Sequence, residues 1–436
     1  MKFGTDGFRG PSDTEITPDF CLRLGFHTGI VIKQKGYDSV IIGKDTRVSG
    51  YMLEAALEAG FISAGIDVKL AGPIPTPAVS FLTATYAGQF GVVISASHNP
   101  YYDNGIKFFN RHGRKISQEL EREIEGRLQN LNEPVKAKEL GKAFRIDSAS
   151  GRYVEYCKST LKGNYSLQGK TILVDAANGA NYKITPMLLR ELGATTININ
   201  CNPDGFNINE NSAVLNQNLF AEYAKNYKFD YCVAVDGDGD RIVLSDDKGT
   251  IFSGDDILYT LASRNKITGK NQSDTVVGTI MSNEGVVEAL SMLGIRFLRA
   301  DVGDKFISRE LVKNDLNLGA EPSGHIIQRE FSESGDANIA LIQTLSALQE
   351  LDTTISEIKN KIEYKPLGLK NFNVSDVEIV ESENFIESIE KLKKNYPEAR
   401  ISVRKSGTER KIRAMVEAET EKEKDSILKK IESLIT

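Results

Sequence analysis

The chain has 436 residues, 40% of them hydrophobic and 26% charged, with a formal net charge of −6. These are ordinary globular values, and no acidic or basic block marks a nucleic-acid or membrane partner. At roughly 100–200 residues per domain the length calls for three or four domains rather than one core. A slightly acidic surface repels phosphates at long range, so a phosphorylated ligand has to be held by locally clustered Arg, Lys and backbone N–H groups.

The start, Met1-Lys2-Phe3-Gly4-Thr5-Asp6-Gly7, lacks the apolar core of a signal peptide, and no stretch reaches membrane-spanning length. Cys21, Cys157, Cys201 and Cys232 are widely spaced and form no CxxC pair, so they read as reduced, buried thiols. Both observations predict a cytoplasmic protein.

Short apolar runs ending in Gly/Asp/Asn-rich loops follow at Ser39–Gly43, Gly91–Ile94, Thr171–Asp175, Tyr231–Asp236 and Val276–Ile280. Helical spacing marks Tyr51–Phe61, Ile184–Leu192, Asn283–Leu293 and Lys305–Val312. The alternation predicts parallel sheets covered by helices, with ligands gathered at the loops after the strands. Boundary signals near Asp147–Gly151, Asp246–Gly249 and Tyr364–Gly368 give four domains, 1–148, 149–247, 248–363 and 364–436. The first three are similar α/β units. The last is a smaller α+β domain, with helices near Glu383–Lys394 and up to Ile435 and strands near Arg400–Val403 and Lys411–Glu417.

Each domain carries one chemical loop. Ser97 sits in Ser95-Ala96-Ser97-His98-Asn99-Pro100, between a buried strand and a turn, with Lys107 shortly after as a cation that can neutralise phosphate. His98 is tempting as a base, although adjacent side chains usually point apart; without a G-x-S-x-G elbow, a serine hydrolase is disfavoured. Asp236-Gly237-Asp238-Gly239-Asp240-Arg241 follows Cys232–Val235, so three carboxylates emerge in one loop. Two such charges about 4 Å apart repel by roughly 4 kcal/mol at a surface-like dielectric, and a hard divalent cation relieves this. An EF-hand is ruled out by Arg241, which stands where that loop needs Gly. Glu321-Pro322-Ser323-Gly324-His325 pairs acceptors with donors, which suits vicinal sugar hydroxyls. Arg404-Lys405-Ser406-Gly407-Thr408, with Arg413 returning on the next strand, has the grammar of a phosphate cradle.

In this order the four loops resemble those of the α-D-phosphohexomutase superfamily along essentially the whole chain. The resemblance implies four domains around a central cleft, a phosphoserine at Ser97, and one Mg²⁺ held by Ser97, Asp236, Asp238 and Asp240. It also implies transfer of the serine phosphate to a phosphosugar, giving a bisphosphate that returns its other phosphate. Arg9, Lys107 and His98 are then expected at the catalytic centre. Arg241, Glu321, Ser323 and His325 would face the sugar, and Arg404, Ser406, Gly407, Thr408 and Arg413 would grip the nonreacting phosphate.

Several stretches resemble the members that interconvert glucosamine 6-phosphate and glucosamine 1-phosphate on the route to UDP-N-acetylglucosamine: residues 3–10, Gly43-Lys44-Asp45-Thr46-Arg47, Ser95, Pro203-Asp204-Gly205 with Asn207-Ile208-Asn209, and Val302-Gly303-Asp304-Lys305. Glucose- or mannose-phosphate mutases are the alternative, and a noncatalytic phosphosugar-binding protein is the alternative of another class. The expected partner is a small phosphosugar, with no nucleic acid and no membrane; a homodimer is left open. The chain departs from the superfamily pattern at Asn211–Leu215, at Arg410, where proline is usual, and at Ala337, where glycine is usual.

Overall fold

The computed structural model describes residues 2–4, 6–86, 89–129, 137, 139–163, 165–269, 273–374, 376–405 and 411–435. They form two compact units, Met1–Met281 with Leu293–Lys359, and Ser282–Met292 with Asn360–Thr436.

The first unit holds three sheets built on one plan. In the first, β1 (Phe8–Pro11), β2 (Ser39–Lys44), β3 (Asp67–Pro73), β4 (Phe90–Ile94), β5 (Asp103–Phe109) and β6 (Ala143–Arg145) lie in the order β1-β5-β4-β2-β3-β6. The second orders β7 (Thr171–Asp175), β8 (Thr195–Ile199), β9 (Tyr231–Val235), β10 (Ile242–Asp246) and β11 (Ile251–Phe252) as β11-β10-β9-β7-β8. The third orders β12 (Thr275–Thr279), β13 (Arg296–Ala300), β14 (Leu318–Ala320) and β15 (Ile326–Gln328) as β13-β12-β14-β15. In each, parallel strands meet one antiparallel neighbour: β4 with β5, β9 with β10, β14 with β15. The three turns at those switches carry Ser97, Asp236 and Glu321, so the fold delivers its chemistry from equivalent corners of three similar sheets.

Strand interiors follow from composition. All five residues of β4 are buried, as are Cys232–Val235 of β9, which is why these runs read as continuous apolar segments rather than alternating ones. Helices start at capped positions. Thr17 accepts from the Phe20 N–H ahead of Pro18–Gln34, Ser253 and Asp256 form a capping box before Gly254–Ile267, and Asp336 accepts from Ile339 ahead of Ala337–Glu350. The helix Asp304–Lys313 buries Ile307 and Leu311 on β12 and β14, turning its charged face outward.

The second unit is a three-stranded antiparallel sheet, β16 (Leu367–Asn373), β17 (Arg400–Lys405) and β18 (Lys411–Glu417), with β18 central and helices Glu383–Asn395 and Glu421–Ile435. Phe372, Phe385, Ile412, Val416, Ile427 and Ile431 share its core. The sequence reading lacked β16, which starts at the expected boundary near Tyr364–Gly368. The strand pairs with β18 over its full length, from Leu367–Glu417 to Asn373–Lys411, yet buries only Phe372, so backbone pairing rather than an apolar pattern defines it. None of the described helices is long and apolar enough to cross a membrane.

Candidate active site

The Ser97 loop is fastened from beneath. Ser97 adopts φ +52°, a left-handed conformation rare for non-glycine residues, and its N–H donates to Ser95 Oγ at 2.9 Å. Ser95 in turn donates to Asp45, which also accepts from Arg47 Nε at 2.9 Å. The Arg47 guanidinium is fully buried and donates to the carbonyls of Ser97 (3.0 Å), Asn99 (2.8 Å), Asp103 (3.1 Å) and Pro100. Asn209 Nδ2 donates to the Ser97 and Asn99 carbonyls at 2.8 and 3.0 Å. A turn that costs energy in isolation is thus over-determined, as at sites where geometry carries chemistry.

The acidic loop abuts the serine loop. Ser97 Oγ donates to Asp236 Oδ2 at 2.7 Å, and a Cβ on Gly237 would lie 2.6 Å from the Ser97 carbonyl, so only glycine allows this approach. Asp236 Oδ1 accepts from the N–H groups of Gly239, Asp240 and Arg241 at 3.1–3.2 Å, which folds the loop around it. Asp238 Oδ2 accepts from Thr76 Oγ1 at 2.6 Å and from Lys107 Nζ at 2.8 Å. One oxygen from each of Asp236, Asp238 and Asp240 lies within 4.8 Å of the others. Asp238 Oδ1 and Asp240 Oδ1 are buried without a hydrogen-bond partner among the described residues. Buried carboxylate oxygens left unpartnered are costly, and hard oxygen donors of this kind are the ligands Mg²⁺ takes. The residues therefore suit a hard divalent cation.

Charge is divided unevenly here. Burial, followed by repulsion from Asp240 and Asp238, raises the Asp236 carboxyl well above its usual range. Asp240 goes the other way: against burial, His325, Lys107 and Arg241 hold it charged. Lys107 bridges Asp238 and Asp6, each at 2.8 Å, and these carboxylates raise its pKa against the burial that would lower it. Lys115 joins Asp6 (2.5 Å) and Asp304, extending the network from the first sheet to the third. Arg9 lies at the same carboxylate, 3.7 Å from Asp6.

His98 departs from the expectation for neighbouring side chains. The left-handed turn at Ser97 brings His98 Nδ1 to 3.4 Å from Ser97 Oγ. Burial, Arg241 and Arg9 lower its pKa to about 4, so the imidazole is neutral near pH 7.

The Glu321 loop closes the third side. Arg241 and His325 form an antiparallel bridge, and Ile242 N–H donates to the Gly324 carbonyl at 3.0 Å. Glu321 is buried and accepts from Gly303 N–H at 3.0 Å, while Ser323 is exposed. His325 Nε2 lies 3.2 Å from the Gly335 nitrogen and Nδ1 faces Asp240 at 3.6 Å; against burial, Asp240 and Asp304 raise its pKa to about 9, which favours the protonated ring. In the second unit Arg404 and Arg413 are register partners on β17 and β18, both exposed. Ser406, Gly407 and Thr408 lie outside the described residues, as does Arg410.

The departures at Asn211–Leu215 and Ala337 are accommodated. Ala213 N–H donates to Asp175 at 2.7 Å, Asn211 takes φ +49°, and Ala337 N–H donates to the Gly239 carbonyl at 3.2 Å. Sequence reasoning gave no role to Asp6, Thr76, Lys115 or Asp304. Asp6 and Asp304 stood inside quoted motifs; Thr76 and Lys115 have no local signal, because tertiary packing alone places them.

Four family models match the chain in succession: phosphoglucomutase/phosphomannomutase alpha/beta/alpha domain I over residues 1–134, domain II over 151–249, domain III over 253–364, and the C-terminal domain over 369–434. With this fold and corner geometry, the chain belongs to the phosphoglucomutase/phosphomannomutase family of α-D-phosphohexomutases. Among its relatives, the phosphoglucosamine mutase of Psychromonas ingrahamii is 44% identical over 420 residues, 96% of this chain and 95% of that protein. That of Haemophilus influenzae is 45% identical, covering 96% and 94%. Two solved structures share the fold. A Burkholderia thailandensis phosphoglucomutase/phosphomannomutase family protein has TM-score 0.82 and 19% identity, covering 99% of this chain and 96% of that one. An N-acetylglucosamine-phosphate mutase, in a product complex, has TM-score 0.70 and 16% identity, covering 100% and 96%.

Proposed function

We propose that the chain interconverts glucosamine 6-phosphate and glucosamine 1-phosphate, through a phosphoryl group carried on Ser97 and a bisphosphorylated sugar, in the supply of UDP-N-acetylglucosamine. The observation that carries this reading is the 2.7 Å contact of Ser97 Oγ with Asp236, at the edge of three converging carboxylates. The amino sugar is supported by the full-length phosphoglucosamine mutase relatives.

Asp236, Asp238 and Asp240, with an oxygen of the Ser97 group, would hold one Mg²⁺, which when bound offsets phosphate charge and polarises the phosphoryl group. Ser97 is the carrier: its bond to phosphorus breaks as a free sugar hydroxyl bonds to the same phosphorus. The sugar proton leaves to a base, and the Ser97 oxygen takes up a proton from an acid beside it and is left as a hydroxyl. The intermediate then offers its other phosphate, and the reverse exchange restores Ser97. Because a serine hydroxyl is a weak nucleophile near neutrality, the phosphorylated form is the resting enzyme.

Lys107, kept cationic by Asp6 and Asp238, stabilises charge on the moving group. Arg9 adds a second cation at Asp6, and neutral His98 stands within reach of Oγ as a proton acceptor. Arg241, Glu321, Ser323 and His325 read the sugar hydroxyls. The hairpin of Arg404 and Arg413, with Ser406, Gly407 and Thr408, grips the nonreacting phosphate. The same cradle serves both half-reactions, so it recognises phosphate and hydroxyls rather than the reacting carbon. A cytoplasmic location belongs to the same proposal and is supported by four unpaired cysteines.

The test is kcat/KM for glucosamine, glucose and mannose 1-phosphates with phosphorylated, Mg²⁺-loaded protein. Preference for glucosamine phosphate is expected; preference for either other sugar moves the assignment to that mutase. Labelled phosphate that never equilibrates between sugar and protein would mark a noncatalytic binder.

A further inference from the structure

Outside the phosphoserine centre, a cavity lined by several cations lies in the seam where the hairpin after β5 meets the outward face of the helix Asp304–Lys313. It encloses about 560 Å³, within the range of small-molecule sites. Arg114, Lys115, Lys305, Arg309 and Lys313 line it against two carboxylates, Asp304 and Glu333. Those carboxylates are already engaged, Asp304 by Lys115 and Glu333 by Arg114. Lys305 and Arg309 have no carboxylate within ion-pair distance among the described residues; both lie over the Phe306 ring, at 5.3 and 5.8 Å. Among the described residues Lys313 has only Glu310, at 3.9 Å. The floor includes Ser334, 8% exposed, whose hydroxyl has no hydrogen-bond partner among the described residues. Ser97, the three aspartates, Arg241, Glu321, Ser323 and His325 do not line this cavity.

From these observations we infer a second anion site, which takes a small diphosphate ester. Lys305, Arg309 and Lys313 recur at every fourth residue, so they stand on successive turns of one helix face, about 6 Å apart along the axis. A single phosphate meets one turn, whereas two linked phosphates span neighbouring turns and recruit Arg114 from the opposite wall through its guanidinium fork. The organic part of the ester rests on Val312, which is 46% exposed beside the cations. An anion here also draws on Lys115, which shares the Asp6 carboxylate with Lys107, so the site is two ion pairs from the catalytic cation.

The experiment is isothermal titration of the full chain with ADP, inorganic pyrophosphate and orthophosphate, each repeated on the Arg309→Ala/Lys313→Ala double variant, on Lys313→Glu alone, and on Arg404→Ala. Arg309 and Lys313 are exposed, so the first two variants retain the fold. The expected result is a diphosphate affinity at least tenfold above that of orthophosphate. The double variant should weaken it at least tenfold, Lys313→Glu severalfold, and Arg404→Ala not at all. Tighter binding of ADP than of pyrophosphate supports the ester, and equal affinity overturns the contact of its organic part with Val312. Binding untouched by the helix variants, binding abolished by Arg404→Ala, or no binding at millimolar diphosphate overturns it. None of these outcomes depends on which hexose phosphate the mutase prefers.

Discussion

Replacing Arg47 by lysine tests whether the serine loop is held in place by its buried guanidinium. The native side chain is fully buried, pairs Nε with Asp45, and donates to four carbonyls between Ser97 and Asp103. Lysine keeps the charge but has neither the planar fork nor the reach to serve both sides, so Asp45 or several loop carbonyls lose a partner. Breaking a buried pair typically costs 3–5 kcal/mol, and each lost charge-assisted bond about 1.5–3 kcal/mol. Asp45 retains Ser95 and the Arg47 N–H, so the lower end, about 3 kcal/mol, is expected. Displacing Ser97 by an ångström adds roughly a hundredfold loss in kcat, with KM for phosphosugar little changed, because Arg47 does not touch the substrate. Denaturant titration reads the first effect and steady-state kinetics the second. An Arg47→Lys protein within 1 kcal/mol of the parent and with full kcat would refute the reasoning.

Thr76→Val removes the hydroxyl that orients Asp238 at 2.6 Å, and the Mg²⁺ concentration for half activation should rise about 10–100-fold with kcat at saturation nearly kept; an unchanged Mg²⁺ dependence contradicts that role. Arg404→Ala should raise KM for phosphosugars by the equivalent of about 1.5–3 kcal/mol, and an unaltered KM removes the hairpin from the phosphate grip. Asp336, buried with Tyr153 Oη at 2.8 Å, has its carboxyl raised from 3.8 to about 6 by burial. A raised carboxyl stabilises the fold when protonated, so its contribution is full below pH 4 and lost as pH climbs through 6. Asp336→Asn should therefore gain on the parent between pH 4 and 6 and stay ahead by up to ~3 kcal/mol above that; a pH-independent difference between the two proteins contradicts this.

The fold class and the chemical loops were legible because burial leaves a signature. β4 and β9 are covered on both faces, so they read as unbroken apolar runs, and the loops that follow them carry residues no core would accept. β16 left no such trace, since its side chains mostly face water. The Asp6, Lys107, Lys115 and Asp304 network was invisible for another reason: its members come from distant segments, and nothing in local spacing relates residue 115 to residue 304. The approach of His98 to Ser97 escapes the rule that neighbouring side chains diverge, because that rule assumes extended backbone and Ser97 is left-handed. Thr76 sits at the start of the helix Thr76–Thr85, where a hydroxyl reads as an ordinary first-turn residue until the fold sets Asp238 beside it.

The most direct measurement is intact mass of the purified, Mg²⁺-loaded protein before and after incubation with isotopically labelled glucosamine 1-phosphate, with Ser97→Ala alongside. The account predicts one phosphate per chain, mapped to residue 97, exchanging with label on the timescale of turnover and absent from the variant, whose activity falls by several orders of magnitude. A protein that turns over with no phosphate on residue 97, or a Ser97→Ala variant with near-normal turnover, would contradict it.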